Sequence, residues 1–174
     1  MSDSEEMIPK KDALSQLNLA LRRVALIYHH FTETLVDELG EDRGMELVRK
    51  SIDAYGHHVG EEAKKKAQQK GLPLAPENFE DGLPMLAWDW EGVVVDGEER
   101  TRVHHCPLAK EWMEWGDPKK ARGYCHVDQA KIHGFNPDYE CVHTKNVLDG
   151  DPYCELAIRP VRKEESEDTG EAPE

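Results

Sequence analysis

Two long helical patterns at the start of the chain constrain its fold more than any other feature. Between Asp12 and the helix-ending Gly40, large apolar residues recur every three or four positions: Leu14, Leu17, Leu21, Val24, Tyr28, Phe31 and Leu35. A second pattern begins at Glu41 or Asp42, ends at Gly71 and has the stripe Met45, Val48, Ile52, Tyr55, Val59 and Ala63. Each helix has one apolar face, and the short link predicts an antiparallel pair that must pack against another layer.

The first predicted β-hairpin follows a loop rich in proline and glycine. Residues 85–95 alternate between apolar and polar positions, and Asp96-Gly97 is a favoured two-residue turn before a returning strand at 100–105. Successive side chains of a strand point to opposite faces, so pairing across this turn predicts one shared face. That face carries Leu86, Trp88, Trp90, Val94, Thr101, Val103 and His105, whereas His104 points the other way.

A second hairpin is predicted between Tyr139 and Pro160, with its turn centred on Gly150. The inward face then carries Val142, Thr144, Cys154, Leu156 and Ile158, and the outward face carries Cys141, His143, Lys145, Glu155 and Arg159. We therefore expect Cys154 inside the protein and Cys141 in solvent. Short helices are predicted at 107–115 and 123–133, between the two hairpins.

This order of elements predicts an α+β fold, in which two long N-terminal helices pack with an antiparallel sheet of two hairpins and short intervening helices. A chain of 174 residues suffices for one compact domain and is too short for two ordinary ones. We expect a single domain at 12–162, a disordered N-terminus at 1–11 and an acidic disordered tail at 163–174, where charge is dense and large apolar residues are lacking.

The net charge of −14 limits the classes of partner. An anionic protein repels phosphate backbones, so nucleic acid is not expected to bind. No run approaches the roughly 18 apolar residues of a membrane-spanning helix, and the polar, acidic start does not resemble a signal peptide. We expect a cytoplasmic protein with reduced thiols and a small-molecule substrate, no nucleic-acid or membrane partner, and homodimerisation as an open option.

All four cysteines lie between His104 and Cys154, so chemistry is expected in this stretch. Cys106 ends a strand and precedes Pro107, which favours the first helical position, so Cys106 is the predicted N-cap. The helix dipole would lower the pKa of its thiol and favour the reactive thiolate. The alternative is that Cys106 is a small buried residue and the preceding His105 a core histidine.

Cys125 and Asp128 are three residues apart on a predicted helix, so they share a face, where Asp128 can orient a base or bind a substrate amine. A metal site is a further alternative, since zinc prefers sulfur and nitrogen ligands, and iron is the other candidate cofactor. Its ligands would be Cys106, Cys125, Cys154 and His105. No two cysteines form a CxxC pair, so the ligands would have to come from distant elements.

Four short motifs carry a resemblance to a known family. They are Cys-Pro-Leu-Ala at 106–109, Tyr-Cys-His-Val-Asp at 124–128, Gly-Phe-Asn-Pro at 134–137 and Gly-Asp-Pro-Tyr-Cys-Glu-Leu at 150–156. In this order they resemble the L-2-amino-thiazoline-4-carboxylic acid hydrolase family and, more distantly, the 4-vinyl-reductase-type small-ligand domains and vesicle-tethering subunits. The resemblance implies that water is added across the C=N bond of a cyclic amidine. An arginine is expected after Asn-Pro, but the nearest cation is Lys145, which leaves the substrate open.

The resemblance implies a pocket built from Cys106, Cys125, Asp128 and Cys154. In the resulting hypothesis, Cys106 is the nucleophile or a metal-bound thiolate, His105 the general base, and Asp128 the group that binds the substrate nitrogen. The expected substrate-binding residues are Cys125, Trp88, Trp90 and Cys154. The alternatives are a non-catalytic, sensor-like domain that binds a small molecule or metal, and a pure interaction subunit.

Overall fold

The computed structural model describes residues 8–162, so the predicted disordered tail at 163–174 and all but four residues of the predicted disordered N-terminus at 1–11 lie outside the described part of the chain. Helix α1 spans Lys10–Leu39, beginning two residues earlier than expected, and helix α2 spans Glu41–Gln69. The single residue between them, Gly40, has a φ of 79°, a conformation that glycine adopts without a steric penalty. The chain therefore reverses over one residue, and the two helices pack side by side.

Four antiparallel strands form one sheet in the order β1-β2-β4-β3. The strands are β1 Asp89–Val95, β2 Glu98–His105, β3 Tyr139–Lys145 and β4 Cys154–Pro160. The short helices are α3 Pro107–Glu114, α4 Pro118–Ala121 and α5 His126–Phe135, and 3₁₀ turns occur at Pro76–Asn78, Met85–Ala87, Arg122–Cys125 and Val147–Asp149. The predicted α+β class, with two long N-terminal helices and a sheet of two hairpins, is confirmed.

The first hairpin has the predicted turn. Asp96 and Gly97 have φ values of 53° and 81°, as the two-residue turn requires, and Trp90 lies opposite Val103. Two details of the prediction were wrong. Residues 85–87 form a 3₁₀ turn instead of the start of the strand. The irregular register at the other end of the hairpin pairs His105 with Asp89, so His105 is exposed and does not share the tryptophan face.

The second hairpin corrects the predicted orientation of β3. A bulge at Thr144 shifts its register by one residue, so that His143 pairs with Leu156 and Cys141 with Ile158. Such a shift turns every side chain beyond it to the other face. Cys141 is therefore buried, not solvent-facing, and His143 points inward with Cys154, Leu156 and Ile158, whereas Val142 and Thr144 point outward. The prediction for β4, with Cys154 inward, is confirmed.

The helices form two layers over the inner face of the sheet. Helix α5 packs on β3, α2 packs on α5, and α1 packs on α2 and α3. The predicted stripes on α1 and α2 were partly wrong, since Val24, Phe31 and Tyr55 are exposed. Smaller residues at neighbouring positions are buried instead: Ala25, Thr32, Gly44, Gly56, Gly60 and Ala67. Within residues 8–162, no helix has both the length and the hydropathy needed to cross a membrane.

Helices α2 and α5 approach each other so closely that their backbones touch. A Cβ atom added at Gly56 would lie 2.5 Å from the Ala130 Cβ, and one added at Gly60 would overlap the Lys131 carbonyl oxygen. From the α5 side, a Cβ at Gly134 would lie 2.6 Å from the His57 carbonyl oxygen. Because backbone atoms cannot rotate out of the way, glycine at these positions determines how α5 is seated.

This contact predicts that Gly60→Ala destabilises the protein. Overpacking a tight interface costs about 1–3 kcal/mol, and the upper part of that range applies because the added methyl group meets backbone. The free energy of unfolding from urea titration measures the loss. Gly92→Ala in β1 is the matched control, since a Cβ there meets no atom within 4 Å. Equal effects for the two variants would contradict this account of the interface.

The outer face of the sheet carries an ion-pair network in place of an apolar layer. The Glu155 side chain is only 2 % exposed because the arms of two arginines cover it. Its carboxylate accepts hydrogen bonds from Arg100 at 2.7 Å, Arg102 at 2.9 Å and the Thr144 hydroxyl at 2.8 Å. These bonds, led by those from Arg100 and Arg102, lower the pKa of Glu155 to about 2. The network joins the central strands β2 and β4 to β3.

The lowered pKa of Glu155 predicts a pH dependence of stability. In the unfolded chain the carboxyl has its ordinary pKa of 4.5, so between that value and about 2 the unfolded state binds more protons than the folded state. The contribution of Glu155 is therefore complete above pH 4.5 and is lost as the pH falls towards 2. Glu155→Gln should be less stable than the wild type at neutral pH, and the difference should shrink through this window.

Urea unfolding at several pH values between about 5 and 3 measures this convergence. Glu46→Gln is the control, because its ion pair with Arg43 joins two exposed side chains on one helix and should contribute little at any pH. A stability difference for Glu155→Gln that stays constant down to pH 3 would contradict the assignment.

Candidate functional site

Three of the cysteines meet where strands of the sheet join the short helices. Cys106 follows β2 and is the N-cap of α3, with Pro107 as the first helical residue, as predicted. Cys154 begins β4 opposite Val103, and its sulfur lies 3.5 Å from the Val147 amide. Cys125 ends the 3₁₀ turn that leads into α5. The site thus draws on four separate elements, which explains why no cysteine pair is close in sequence.

A ladder of three side-chain pairs connects α5 and its preceding turn to the end of β3. The residues Arg122, Cys125 and Asp128 are three apart, and they face Asp149, Asn146 and His143, which are also three apart. The Arg122 Nε donates to the Asp149 Oδ2 at 2.8 Å, and the His143 Nε2 lies 3.3 Å from the Asp128 Oδ2. The buried Asn146 amide stands beside the Cys125 thiol between these pairs.

Asp128 is the charged centre of this ladder. Its side chain is 35 % exposed, whereas the His143 side chain is nearly buried. Burial raises the pKa of all four thiols, and the negative charge of Asp128 raises each of them further. Asp128 therefore lies near every cysteine of the chain and also reaches solvent.

The pKa of Cys106 is shifted in the direction opposite to the one expected from the helix N-terminus, and its role in catalysis stays a prediction. Burial raises the pKa of the thiol, although the Ala109 and Leu108 amides and the Trp88 side chain oppose this effect. Burial also raises the pKa of Cys125 to about 12, against the weaker opposing effect of Asn146. The helix N-terminus is present as predicted, but loss of hydration outweighs its influence on the sulfur. The thiols are therefore protonated at neutral pH.

The other residues that the sequence predicts for the site do not all lie beside the cysteines. Trp88 is half-buried and acts on the Cys106 thiol, and Trp90 lies on the inner face of β1, half-exposed. His105 is exposed beside Asp89. Within residues 8–162, no hydrogen bond joins His105 to Cys106. No group of three or more His, Cys, Asp or Glu side chains in the described part of the chain is arranged to hold a metal ion. The donor set considered for zinc or iron does not fit such an ion.

Sequence reasoning missed four residues of the ladder: Arg122, Asn146, His143 and Asp149. The three-residue spacing of Arg122, Cys125 and Asp128 was visible and would have placed the arginine on their face. His143 was assigned to solvent, because the bulge at Thr144 could not be read from the turn residues. Asn146 carries a further signal: it is buried, and its Nδ2 has no hydrogen-bond partner within residues 8–162.

The raised pKa of Cys106 predicts slow and strongly pH-dependent alkylation. Iodoacetamide attacks the thiolate, so the rate should rise tenfold per pH unit through neutrality and should not level off below the ordinary thiol pKa of 9.0. Peptide mapping by mass spectrometry measures the rate at Cys106, and an unstructured cysteine peptide supplies the reference curve. The shape of the curve is compared, because burial also slows access. An alkylation rate that reaches a plateau near neutral pH would instead show that Cys106 is an activated thiolate.

The comparisons with known proteins agree with this fold. The family described as L-2-amino-thiazoline-4-carboxylic acid hydrolase matches residues 21–158. No curated protein matches the chain significantly. A trafficking protein particle complex subunit 3 from Naegleria fowleri, solved covalently bound to palmitic acid, is similar in structure, with a TM-score of 0.52. The two sequences are 13 % identical, and the match covers 83 % of this chain and 96 % of that chain. At that identity the likeness shows the fold alone. Because the family match spans most of the sequence and all of the ladder, the chain belongs to the L-2-amino-thiazoline-4-carboxylic acid hydrolase family.

Proposed function

We propose that the protein hydrolyses a small cyclic amidine such as L-2-amino-thiazoline-4-carboxylate. The observation that carries the proposal is the pairing of His143 with Asp128, with 3.3 Å between Nε2 and Oδ2, beside a group of buried thiols. A histidine oriented by a carboxylate is a common general base, because the carboxylate holds the ring and stabilises its protonated form. The reaction class comes from the family to which the chain belongs.

Asp128 supplies a second function through its other oxygen. Oδ2 faces His143, and within residues 8–162 no hydrogen bond to Oδ1 is found, so Oδ1 can accept one from an amidine nitrogen. A protonated amidine is a planar cation with N–H donors, and a carboxylate complements both its charge and its geometry. The half-buried Trp88 offers an aromatic surface for the flat ring, and cations favour the face of an indole. These contacts keep the binding roles expected from the sequence for Asp128 and Trp88.

The chemical step follows from this arrangement. His143 takes a proton from water as the water oxygen bonds to the amidine carbon, and the C=N bond becomes a C–N single bond on a protonated nitrogen. The tetrahedral carbon then forms its C=O bond as the ring C–S bond breaks, and its hydroxyl proton passes to solvent, which offsets the proton that the protonated amidine brought. The departing sulfur takes the proton held by His143. One water is consumed and the product is a carbamoyl-cysteine.

The thiols act in this scheme as a neutral lining. Cys106 as nucleophile would require a thiolate, which burial disfavours. His105 as base would have to turn inward from an exposed position, whereas His143 already stands beside Asp128. We therefore assign the base to His143 and retain Cys106, Cys125 and Cys154 as residues that line the site.

Replacing either member of the pair should abolish most of the activity. Asp128→Asn and His143→Gln are each expected to reduce turnover of L-2-amino-thiazoline-4-carboxylate about 10²–10⁴-fold, the usual contribution of general-base catalysis. Product formation followed by mass spectrometry measures the effect. The matched control is His104→Gln, which removes another histidine–carboxylate pair, 2.9 Å from Glu91 and on the outer face.

The Cys106→Ser variant distinguishes attack by water from attack by the Cys106 sulfur. A hydroxyl of similar size should leave turnover within about tenfold of the wild type if water is the nucleophile. Complete loss in a folded Cys106→Ser protein, with substantial activity left in His143→Gln, would overturn the assignment and restore cysteine as nucleophile.

A second candidate is a domain that binds a small molecule without turning it over. It is favoured by the raised pKa values of the thiols, since burial keeps them unreactive. Binding of the amidine measured by calorimetry, with the ligand recovered unchanged after prolonged incubation, would support this function over hydrolysis.

A further inference from the structure

Helix α1 presents an apolar stripe to solvent on the side opposite its buried face. Ile27 is 57 % exposed and Phe31 is 65 % exposed, both high values for large apolar side chains. Together with neighbouring residues they line a shallow groove of about 470 Å³. The other lining residues are Arg23, Leu26, His30 and Thr34. Single exposed apolar residues are ordinary, but a contiguous stripe indicates an interaction surface.

Opposite charges stand at the two ends of this stripe. Arg23 and Glu38 are both exposed, and none of the ion pairs within residues 8–162 involves either of them. They are separated by close to four helical turns, so they lie on the same face of α1, about 22 Å apart. The stripe is therefore basic at its N-terminal end, apolar in the middle and acidic at its C-terminal end. Two such stripes are therefore complementary in charge when they run in opposite directions.

We propose that this stripe pairs with the same stripe of a second copy of the chain, with the two α1 helices antiparallel. A twofold axis between His30 and Phe31 places Arg23 against Glu38 of the second copy and Ile27 against its Thr34. His30 then stacks on Phe31 of the second copy. Each contact occurs twice, because a twofold interface uses the same surface on both subunits. A parallel arrangement would instead place Arg23 against Arg23.

The charge distribution favours a second copy over other occupants. An anionic membrane surface would be repelled by Glu38 and by the net charge of −14. Two copies with that charge also repel each other, so association depends on the apolar stripe and on the paired end charges. The pairing does not involve Asp128 or His143, so it is independent of the proposed reaction.

The oligomeric state of the full chain tests the proposal. Sedimentation velocity over a concentration series should show a dimer for the wild type. Phe31→Glu should raise the dimer dissociation constant more than about tenfold, because it places two carboxylates in the centre of the interface. Val94→Glu in β1 is the matched control, since Val94 is 70 % exposed on a different surface and its replacement should leave the dimer intact.

Charge exchange tests the antiparallel register. Arg23→Glu and Glu38→Arg should each weaken the dimer, and the double variant should restore it, because both end pairs are then re-formed with reversed sign. A wild-type chain that stays monomeric at every concentration, or that is monomeric and sediments with anionic vesicles, would overturn the proposal. A dimer unaffected by Phe31→Glu would also overturn it. Failure of the double variant to recover would overturn the register.

Discussion

The backbone contact between α2 and α5 is the constraint on which the rest of the structure depends. Gly56 and Gly60 carry no side chain because Ala130 and the carbonyl oxygen of Lys131 occupy that space. Close packing of this kind has few alternative arrangements, since backbone atoms cannot move aside as side chains do. It seats α5 at one distance and rotation above β3. That position brings Asp128, on an adjacent side of α5, next to His143.

The two faces of the sheet carry different kinds of residue. The inner face carries Cys141, Cys154 and His143, and burial raises the pKa of both thiols. On the outer face, the strands are held together by the arginines that donate to Glu155. The carboxylate and the two arginines neutralise one another there.

Burial determines what chemistry the site can perform. A thiol at a helix N-terminus is a frequent nucleophile. Cys106 is buried there, and the loss of hydration raises the pKa of its thiol. The carboxylate of Asp128, in contrast, keeps contact with solvent. In the mechanism that we propose, the site therefore binds a cation and activates water through His143 instead of attacking with sulfur.

The sequence alone determined the features that depend on neighbouring residues: the two long helices, the Asp96-Gly97 turn, the N-cap at Cys106 and the inward direction of Cys154. It also carried the glycine spacing on α2 and the spacing that places Arg122 on the face of Cys125 and Asp128, although neither was recognised. Tertiary structure alone decided the position of His143 and the pKa values of the thiols. The bulge at Thr144 depends on contacts with β4, and burial depends on every element that covers a residue. Both are non-local, so no local pattern encodes them.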